Sequence, residues 1–289
     1  NTAISAEGAI SIDARDAINM HGTSGIEAEN SSISLKAFGD ITLGNLSAQD
    51  TGVFSDTGSI LNAAGSNKNI SATNAYLQAK QAIGSSDNHL TTAVDNLTAL
   101  AQGTAESNAS TGLYITEDDS LTVSNVSVSR TDFNTNTESV TTAEVSQSDL
   151  VSGNNGNIIL VTNAGDLSLT DGNGDGLAVR ANGSGNVLLN SKGHGTSISA
   201  DADILSSSGH ISIIAAKDVT FNAGADISTA QGGTIDVQAT YGSLTFSTDS
   251  EQSTDSGDIR FNAGANINLG AKVTTSSNIS MIAVGWIHD

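Results

Sequence analysis

The segment Asp171-Gly172-Asn173-Gly174-Asp175-Gly176 has the residue types and spacing of a metal-binding loop. Side-chain oxygens at positions one, three and five, followed by glycine at position six, match the opening of a calcium loop, where a tight turn brings alternate side chains around one hard cation. Position 12 is Asn182, not the bidentate glutamate that completes an EF-hand loop. The pattern predicts Ca2+ bound by Asp171, Asn173 and Asp175; the alternative is a glycine-rich turn without metal.

No group of residues in the sequence predicts catalysis. Cleavage of a polysaccharide needs two or three convergent carboxylates, or a calcium ion beside an arginine or lysine. The arginines are isolated along the chain, and the five histidines show no metal-ligand spacing. Glu117, Asp118 and Asp119 are adjacent, so alternate side chains would point to opposite faces of a strand, and we expect a solvent-exposed bend there. We therefore predict no catalytic residues.

Acidic or amide side chains recur immediately before short apolar segments. They are Asp40, Asn157, Asp166, Asn186, Asp218, Asp226, Asp258, Asn266 and Asn278. This position predicts turns with solvated side chains, because Asp and Asn favour turns. Bridging cations between stacked carboxylates are the alternative, since stacked like charges repel one another.

The balance of charge excludes several classes of partner. The chain of 289 residues carries 10 Lys and Arg against 31 Asp and Glu, a formal net charge of −21. Without a basic surface, nucleic acid and anionic membranes are not expected partners. No apolar run reaches the roughly 18 residues that span a bilayer, and the chain contains neither cysteine nor proline.

A short repeat runs through the sequence: glycine, a polar residue, then two apolar residues separated by one position. Gly185, Gly209, Gly233 and Gly257 begin copies at a constant interval of 24. Apolar residues at alternate positions predict half-buried strands, and each 24-residue unit contains about three of them. Strands this short and this regularly spaced predict a three-sided parallel β-helix, in which each unit of about 20–24 residues forms one turn. An antiparallel sandwich is the alternative, although it does not require a constant period.

The β-helix interpretation specifies a core and a length. At 22 to 24 residues per turn we expect about 12 to 13 turns, or roughly 60 Å at about 4.8 Å per turn. The alternating pattern places ten apolar side chains inside: Ile211, Ile213, Val219, Phe221, Ile235, Val237, Ile259, Phe261, Ile267 and Leu269. Residues 75–105 contain Ala and Leu typical of helices, but Gly84 to Asn88 interrupt them and we expect further strands.

A longer repeat is superimposed on the short one. Residues 33–44 align with 259–270 at an offset of 226, and flanking segments align within one residue of that offset. We therefore interpret 1–289 as one continuous β-solenoid segment, a slice of a tandem array with a super-repeat of about 226 residues. Residues 130–151 are rich in Thr, Ser and Asn and break the short repeat, which predicts a projecting insertion.

Several phrases resemble the central repeats of giant bacterial exoproteins, the filamentous-haemagglutinin-like adhesins. They are Gly39-Asp40-Ile41-Thr42-Leu43, Leu90-Thr91-Thr92-Ala93-Val94-Asp95-Asn96-Leu97-Thr98-Ala99, Gly112-Leu113-Tyr114-Ile115-Thr116-Glu117 and Asp218-Val219-Thr220-Phe221. The resemblance covers nearly the whole chain, but its motifs are low in complexity. It implies a right-handed parallel β-helix that forms part of a long fibre outside a Gram-negative cell.

The function expected from these observations is structural. The chain would be a secreted or cell-surface shaft, adhesive or purely structural, without catalysis. Its partners would be neighbouring repeats or identical chains joined end to end, with a host-cell, glycan or matrix surface as a further partner. The alternative from another class is a carbohydrate-active β-helix enzyme, a polysaccharide lyase or hydrolase, which would need a groove with convergent acids.

Overall fold

The computed structural model describes residues 3–105, 111–134 and 137–289. These residues form 34 strands and no helix: β1 Ala3–Ala6, β2 Ile10–Ala14, β3 Ile18–Asn19, β4 Gly25–Ala28, β5 Ser32–Ala37, β6 Ile41–Leu43, β7 Asn45–Ser47, β8 Asp50–Ser55, β9 Ile60–Asn62, β10 Ile70–Ala79, β11 Ala82–Ile83, β12 Leu90–Ala101, β13 Gly112–Glu117, β14 Leu121–Val123, β15 Val126–Asn134, β16 Ser139–Gln147, β17 Leu150–Ser152, β18 Asn157–Thr162, β19 Leu167–Leu169, β20 Leu177–Ala181, β21 Val187–Ser191, β22 Ile198–Ala200, β23 Asp203–Ser206, β24 Ile211–Ala215, β25 Val219–Phe221, β26 Ile227–Thr229, β27 Ile235–Ala239, β28 Leu244–Phe246, β29 Glu251–Thr254, β30 Ile259–Ala263, β31 Ile267–Leu269, β32 Lys272–Thr274, β33 Ile279–Ala283 and β34 Ile287–His288.

The strands stack as a parallel β-solenoid of about 12 turns, which confirms the predicted fold class. From β18 onward each strand pairs in parallel with the third strand after it, so every turn contributes one strand to each of three walls. One row of register partners runs through most of the molecule: Ile18, Ile41, Ile60, Ile83, Leu113, Ile158, Val187, Ile211, Ile235, Ile259 and Ile279. The intervals from Val187 to Ile259 show the predicted constant period.

The core is a narrow column of aliphatic side chains with a short aromatic stack. Nine of the ten side chains predicted to face inward are buried, and Leu269 is half-buried and packs on the same cluster. The rings of Phe221 and Phe246 stack with centroids 5.3 Å apart, and Phe261 follows at 4.5 Å. The strands predicted within 75–105 are also present, as β10, β11 and β12.

Glycine at one corner explains the constant spacing of the repeat. Gly185, Gly209, Gly233 and Gly257 stack so closely that a Cβ on any of the last three would collide with the carbonyl oxygen of the glycine one turn earlier. A hydroxyl group from the next turn donates a hydrogen bond of 2.7–2.8 Å to such a carbonyl at five places. The donors are Ser55, Ser206, Thr229, Thr254 and Thr275. The corner therefore has no room for a side chain.

The segments that the predicted longer repeat aligns also correspond strand by strand. Strands β2 to β9 match β27 to β34 in order, with Ile18 and Leu244 as one pair at the offset of 226. Their walls differ, however. The wall that contains β2, β5 and β8 continues into β29 and β32. The counterparts of β2, β5 and β8, which are β27, β30 and β33, belong instead to the wall that contains β9. Equivalent surfaces of the two aligned segments therefore lie on different sides of the solenoid.

The segment predicted as an insertion over 130–151 forms an antiparallel hairpin that begins and ends earlier, from β15 at Val126 to β16 at Gln147. Residues 150–152 belong to the solenoid wall as β17. The hairpin lies across the outer faces of β2, β5, β8 and β10 instead of projecting from the solenoid. Val126 and Val128 form a small buried cluster with Phe54 and Tyr76, which holds it against the wall.

Replacing Gly233 by alanine should destabilise the solenoid by about 1–3 kcal/mol, because the new methyl group must displace packed backbone. Its Cβ would collide with the Gly209 carbonyl oxygen and the Thr229 hydroxyl. Gly232 is the matched control, since a Cβ there meets no atom within 4 Å. We expect Gly232→Ala to shift stability by less than about 1 kcal/mol. Chemical denaturation of both variants measures the difference, and equal effects would contradict the close stacking of the glycines.

Candidate functional site

The predicted calcium loop connects β19 to β20 and is closed by its own side chains. The Asp171 carboxylate accepts hydrogen bonds from the backbone N–H groups of Gly174 at 2.7 Å, Gly176 at 3.0 Å and Asn173 at 3.2 Å. These bonds, that of Gly174 first, lower the pKa of Asp171 below its usual value. Gly174 and Gly176 have positive φ angles of 85° and 84°, which explains why the loop needs glycine there.

The loop also brings its other two predicted ligands together. Asn173 Oδ1 accepts the Asp175 N–H at 2.9 Å, and the Asn173 amide donates to Asp175 Oδ2 at 3.2 Å. Asp175 Oδ1 accepts the N–H of Leu177 at 2.9 Å. Much of the acceptor capacity that calcium would use is therefore already engaged in turn formation. Across the described ranges, no group of three His, Cys, Asp or Glu side chains is placed to hold a metal ion.

Two acids that the sequence did not single out, the buried Asp149 and the half-buried Asp203, lie near this loop. Burial, together with the negative charges of Asp175 and Asp171, raises the pKa of Asp149 to about 6. Burial likewise raises the pKa of Asp203, with smaller contributions from Asp226 and Asp171. Asp149 follows the hairpin and has a positive φ of 74°. The loop is thus the outer part of an acidic corner formed by three successive turns.

The calcium site stays a prediction, and a melting experiment tests it. Excess calcium should raise the melting temperature above that in chelator at equal ionic strength, because a ligand of the folded loop stabilises the native state by about 2.7 kcal/mol at 100 times its Kd. Asp175→Asn should remove most of this difference, whereas Asp87→Asn, at an exposed turn elsewhere, should retain it. Identical melting curves in calcium and chelator would leave only the turn.

The expectation of an exposed bend at Glu117 is wrong for that residue. Glu117 is fully buried and register-paired with Thr92, whose hydroxyl donates to its carboxylate at 2.7 Å. The backbone N–H groups of Val94 and Asp118 also donate to it, at 3.2 and 2.9 Å. Asp118 instead points outward and forms an ion pair of 3.0 Å with Lys68. Glu117 therefore closes a buried corner where strand β13 ends.

Glu117 should make stability depend on pH. Burial raises its pKa from 4.5 to about 8, against the opposing hydrogen bond from Thr92. The folded state then keeps a proton that the unfolded chain has released, so stability falls as pH rises from 4.5 and levels off above 8. Between pH 6.5 and 8.5 the melting temperature should decline in the parent chain and in Asp118→Asn, but hardly in Glu117→Gln. The same slope in Glu117→Gln would assign it to another group.

The acidic and amide residues before strands form ladders that connect successive turns. One such row, along a single corner, consists of Asp166, Ser197, Asp218, Ser243, Asn266 and Trp286. From Ser197 onward, the backbone N–H of each residue donates a hydrogen bond of 2.8–3.4 Å to the side-chain oxygen of the residue before it in the row. Asp40 and Asp258 accept the N–H groups of Ser59 and Asn278 in the same way. The recurring side chains thus satisfy backbone donors of the next turn, which goes beyond the solvated turns expected from the sequence.

One of the shallow depressions on the described surface is polar and is lined by two glutamates. A hollow of about 440 Å³ is lined by Glu27, Glu29, Asn30 and Gln49, among others. Of the arginines, Arg260 pairs with Asp236 at 2.6 Å and Arg130 with Asp132 at 3.1 Å. These cations are therefore held by carboxylates outside the hollow. The geometry does not bring the arginines and the two glutamates into one site.

Comparison with protein-family models, with curated proteins and with solved structures finds no match to this chain. The likeness to filamentous-haemagglutinin-like repeats therefore remains a hypothesis based on the quoted phrases. In the part of the chain that the structure describes, no helix is long and apolar enough to cross a membrane.

Proposed function

We propose that this chain is a structural segment of a secreted or cell-surface shaft, of the kind found in large bacterial exoproteins, whose function is length, stiffness and display. The observation that carries the proposal is the row of eleven register partners from Ile18 to Ile279. Each step of a parallel ladder adds about 4.8 Å and fixes the next strand by backbone hydrogen bonds. A shaft needs this combination of constant rise and fixed register.

The corners support the same proposal. Stacked glycines and side-chain ladders connect each turn to the next at positions where backbone groups would otherwise be left without partners. Such connections resist bending, because opening one corner would expose several buried donors and acceptors at once. The variable outward side chains then serve solubility and, in an adhesive shaft, contact with host-cell, glycan or matrix surfaces.

A distance measurement tests stiffness. Gly8→Cys and Gly232→Cys place the only two cysteines in the chain at positions where a Cβ meets no atom within 4 Å. Eight ladder steps separate Ile18 from Ile235, so spin labels at the two sites should be separated by roughly 40 Å along the axis. We expect a narrow distance distribution that does not change with salt. A broad distribution would reveal a hinge and contradict the shaft.

The alternative function is cleavage of a polysaccharide, and the hollow beside Glu27 and Glu29 is the observation that favours it. Incubation with neutral and acidic polysaccharides, followed by measurement of new reducing ends, separates the two functions. If the chain is a structural shaft, we expect no new reducing ends. Release that disappears in both Glu27→Gln and Glu29→Gln, while Glu7→Gln retains it, would establish the enzyme instead.

A further inference from the structure

Tyr241 presents its aromatic ring to solvent in the inner part of the solenoid. It follows strand β27, and complete turns lie both before and after it. Its side chain is 73% exposed, whereas those of Tyr76 and Tyr114 are buried. In the next turn Gly264 packs against Thr240 and Tyr241 without a side chain of its own. The ring is therefore open to a ligand on the outer surface of the solenoid.

The ring of Tyr241 borders a hollow of about 260 Å³. Asn190 of β21 and Ile214 of β24, which are register partners in successive turns, line the hollow from the outer face of one wall. Lys192 and Thr240 line it from the corner where these strands end. The hollow is smaller than the roughly 300–1,000 Å³ of sites that enclose a drug-sized molecule. It would therefore hold a single ring of a longer ligand.

The polar side chains of this hollow are not used by the fold. Among the described residues, no hydrogen bond joins the Asn190 amide or the Thr240 hydroxyl to another residue, and no carboxylate forms an ion pair with Lys192. Lys217 in the next turn differs, because it pairs with Asp218 at 3.3 Å. In a chain with 31 acidic residues, the charge of Lys192 thus stays free for a ligand.

These groups suit a sugar ring that carries a carboxylate. A sugar ring has an apolar face of C–H groups, which can lie on the Tyr241 ring and Ile214, and a rim of hydroxyl groups. The Asn190 amide and the Thr240 hydroxyl can donate to and accept from such hydroxyl groups. The Lys192 ammonium can donate a charge-assisted hydrogen bond to the carboxylate. Nucleic acid would need an extended basic surface, which a chain of net charge −21 does not provide.

We propose that this hollow binds one carboxylate-bearing sugar residue of a glycan, with Tyr241 stacked on the sugar ring and Lys192 paired with the carboxylate. The proposal rests on the proposed function of an adhesive shaft and deepens it by naming the class of glycan and the side chains that contact it. No acidic side chain is among the described residues that line the hollow. The pair of carboxylates used in glycoside hydrolysis is thus missing there, and the site binds the glycan without hydrolysing it.

Titration with two disaccharides, followed by NMR shift changes, tests the site. The probes are digalacturonate, which carries carboxylates, and galactobiose, which is neutral. The parent chain should bind digalacturonate about threefold more tightly, because an exposed ion pair contributes modestly. Tyr241→Ala should weaken the binding of both probes at least about fivefold, because the stacking ring is lost. Lys192→Gln should abolish the preference for digalacturonate and leave the affinity for galactobiose unchanged.

Phe38→Ala and Lys80→Gln are matched controls, since Phe38 is 58% exposed and both residues lie at another corner of the solenoid. They should bind both probes as the parent does, and all four variants should keep the melting temperature of the parent because none of these side chains belongs to the core. Equal weakening by Phe38→Ala and Tyr241→Ala, or an unchanged preference in Lys192→Gln, would overturn the site. A parent chain that binds neither probe would also overturn it, but would leave the spin-label test of the shaft intact.

Discussion

The register between successive turns is the constraint on which the rest of the structure depends. Parallel strands separated by about 4.8 Å require every turn to place equivalent residues above one another. A shift by one residue would move an entire row of core side chains to the outside. The rows therefore hold Ile, Val and Leu at equivalent positions although the turns differ in length. The additional residues of the longer turns lie at the corners and in one hairpin.

The corners show how an acidic sequence forms a compact solenoid. At a corner, backbone donors turn away from the ladder and need other partners. Carboxylate, amide and hydroxyl oxygens supply them in the row from Asp166 to Trp286. Its two carboxylates, Asp166 and Asp218, are separated by Ser197 and so lie two turns apart. Much of the composition that makes the chain look like a cation binder is thus used to hold successive turns together.

Sequence periodicity was sufficient for the fold and insufficient for the candidate site. The constant spacing of Gly209 and Gly233 and the alternation around Ile211 follow directly from stacking, so they are visible in the sequence. Glu117 was misassigned because its burial results from pairing with Thr92 in the previous turn. The residues next to Glu117 in the sequence contain no pattern that indicates this burial. The spacing of the loop at Asp171 fits a self-closed turn as well as a cation site, so the sequence does not distinguish the two. Its buried neighbour Asp149 is distant in sequence and carried no motif.

The hairpin could not be positioned from the sequence for a related reason. Its contacts join residues 96 and 120 positions apart, as in the bonds of Lys36 with Asp132 and of Ser11 with Thr131. These are contacts to the outer face of the wall, where the stacking of turns imposes no residue type. The core rows are restricted by the fold, whereas outward positions are free to vary without loss of register. The stacking of turns therefore specifies the core rows and leaves irregular features of the outer face unspecified, and the hairpin is the largest such feature among the described residues.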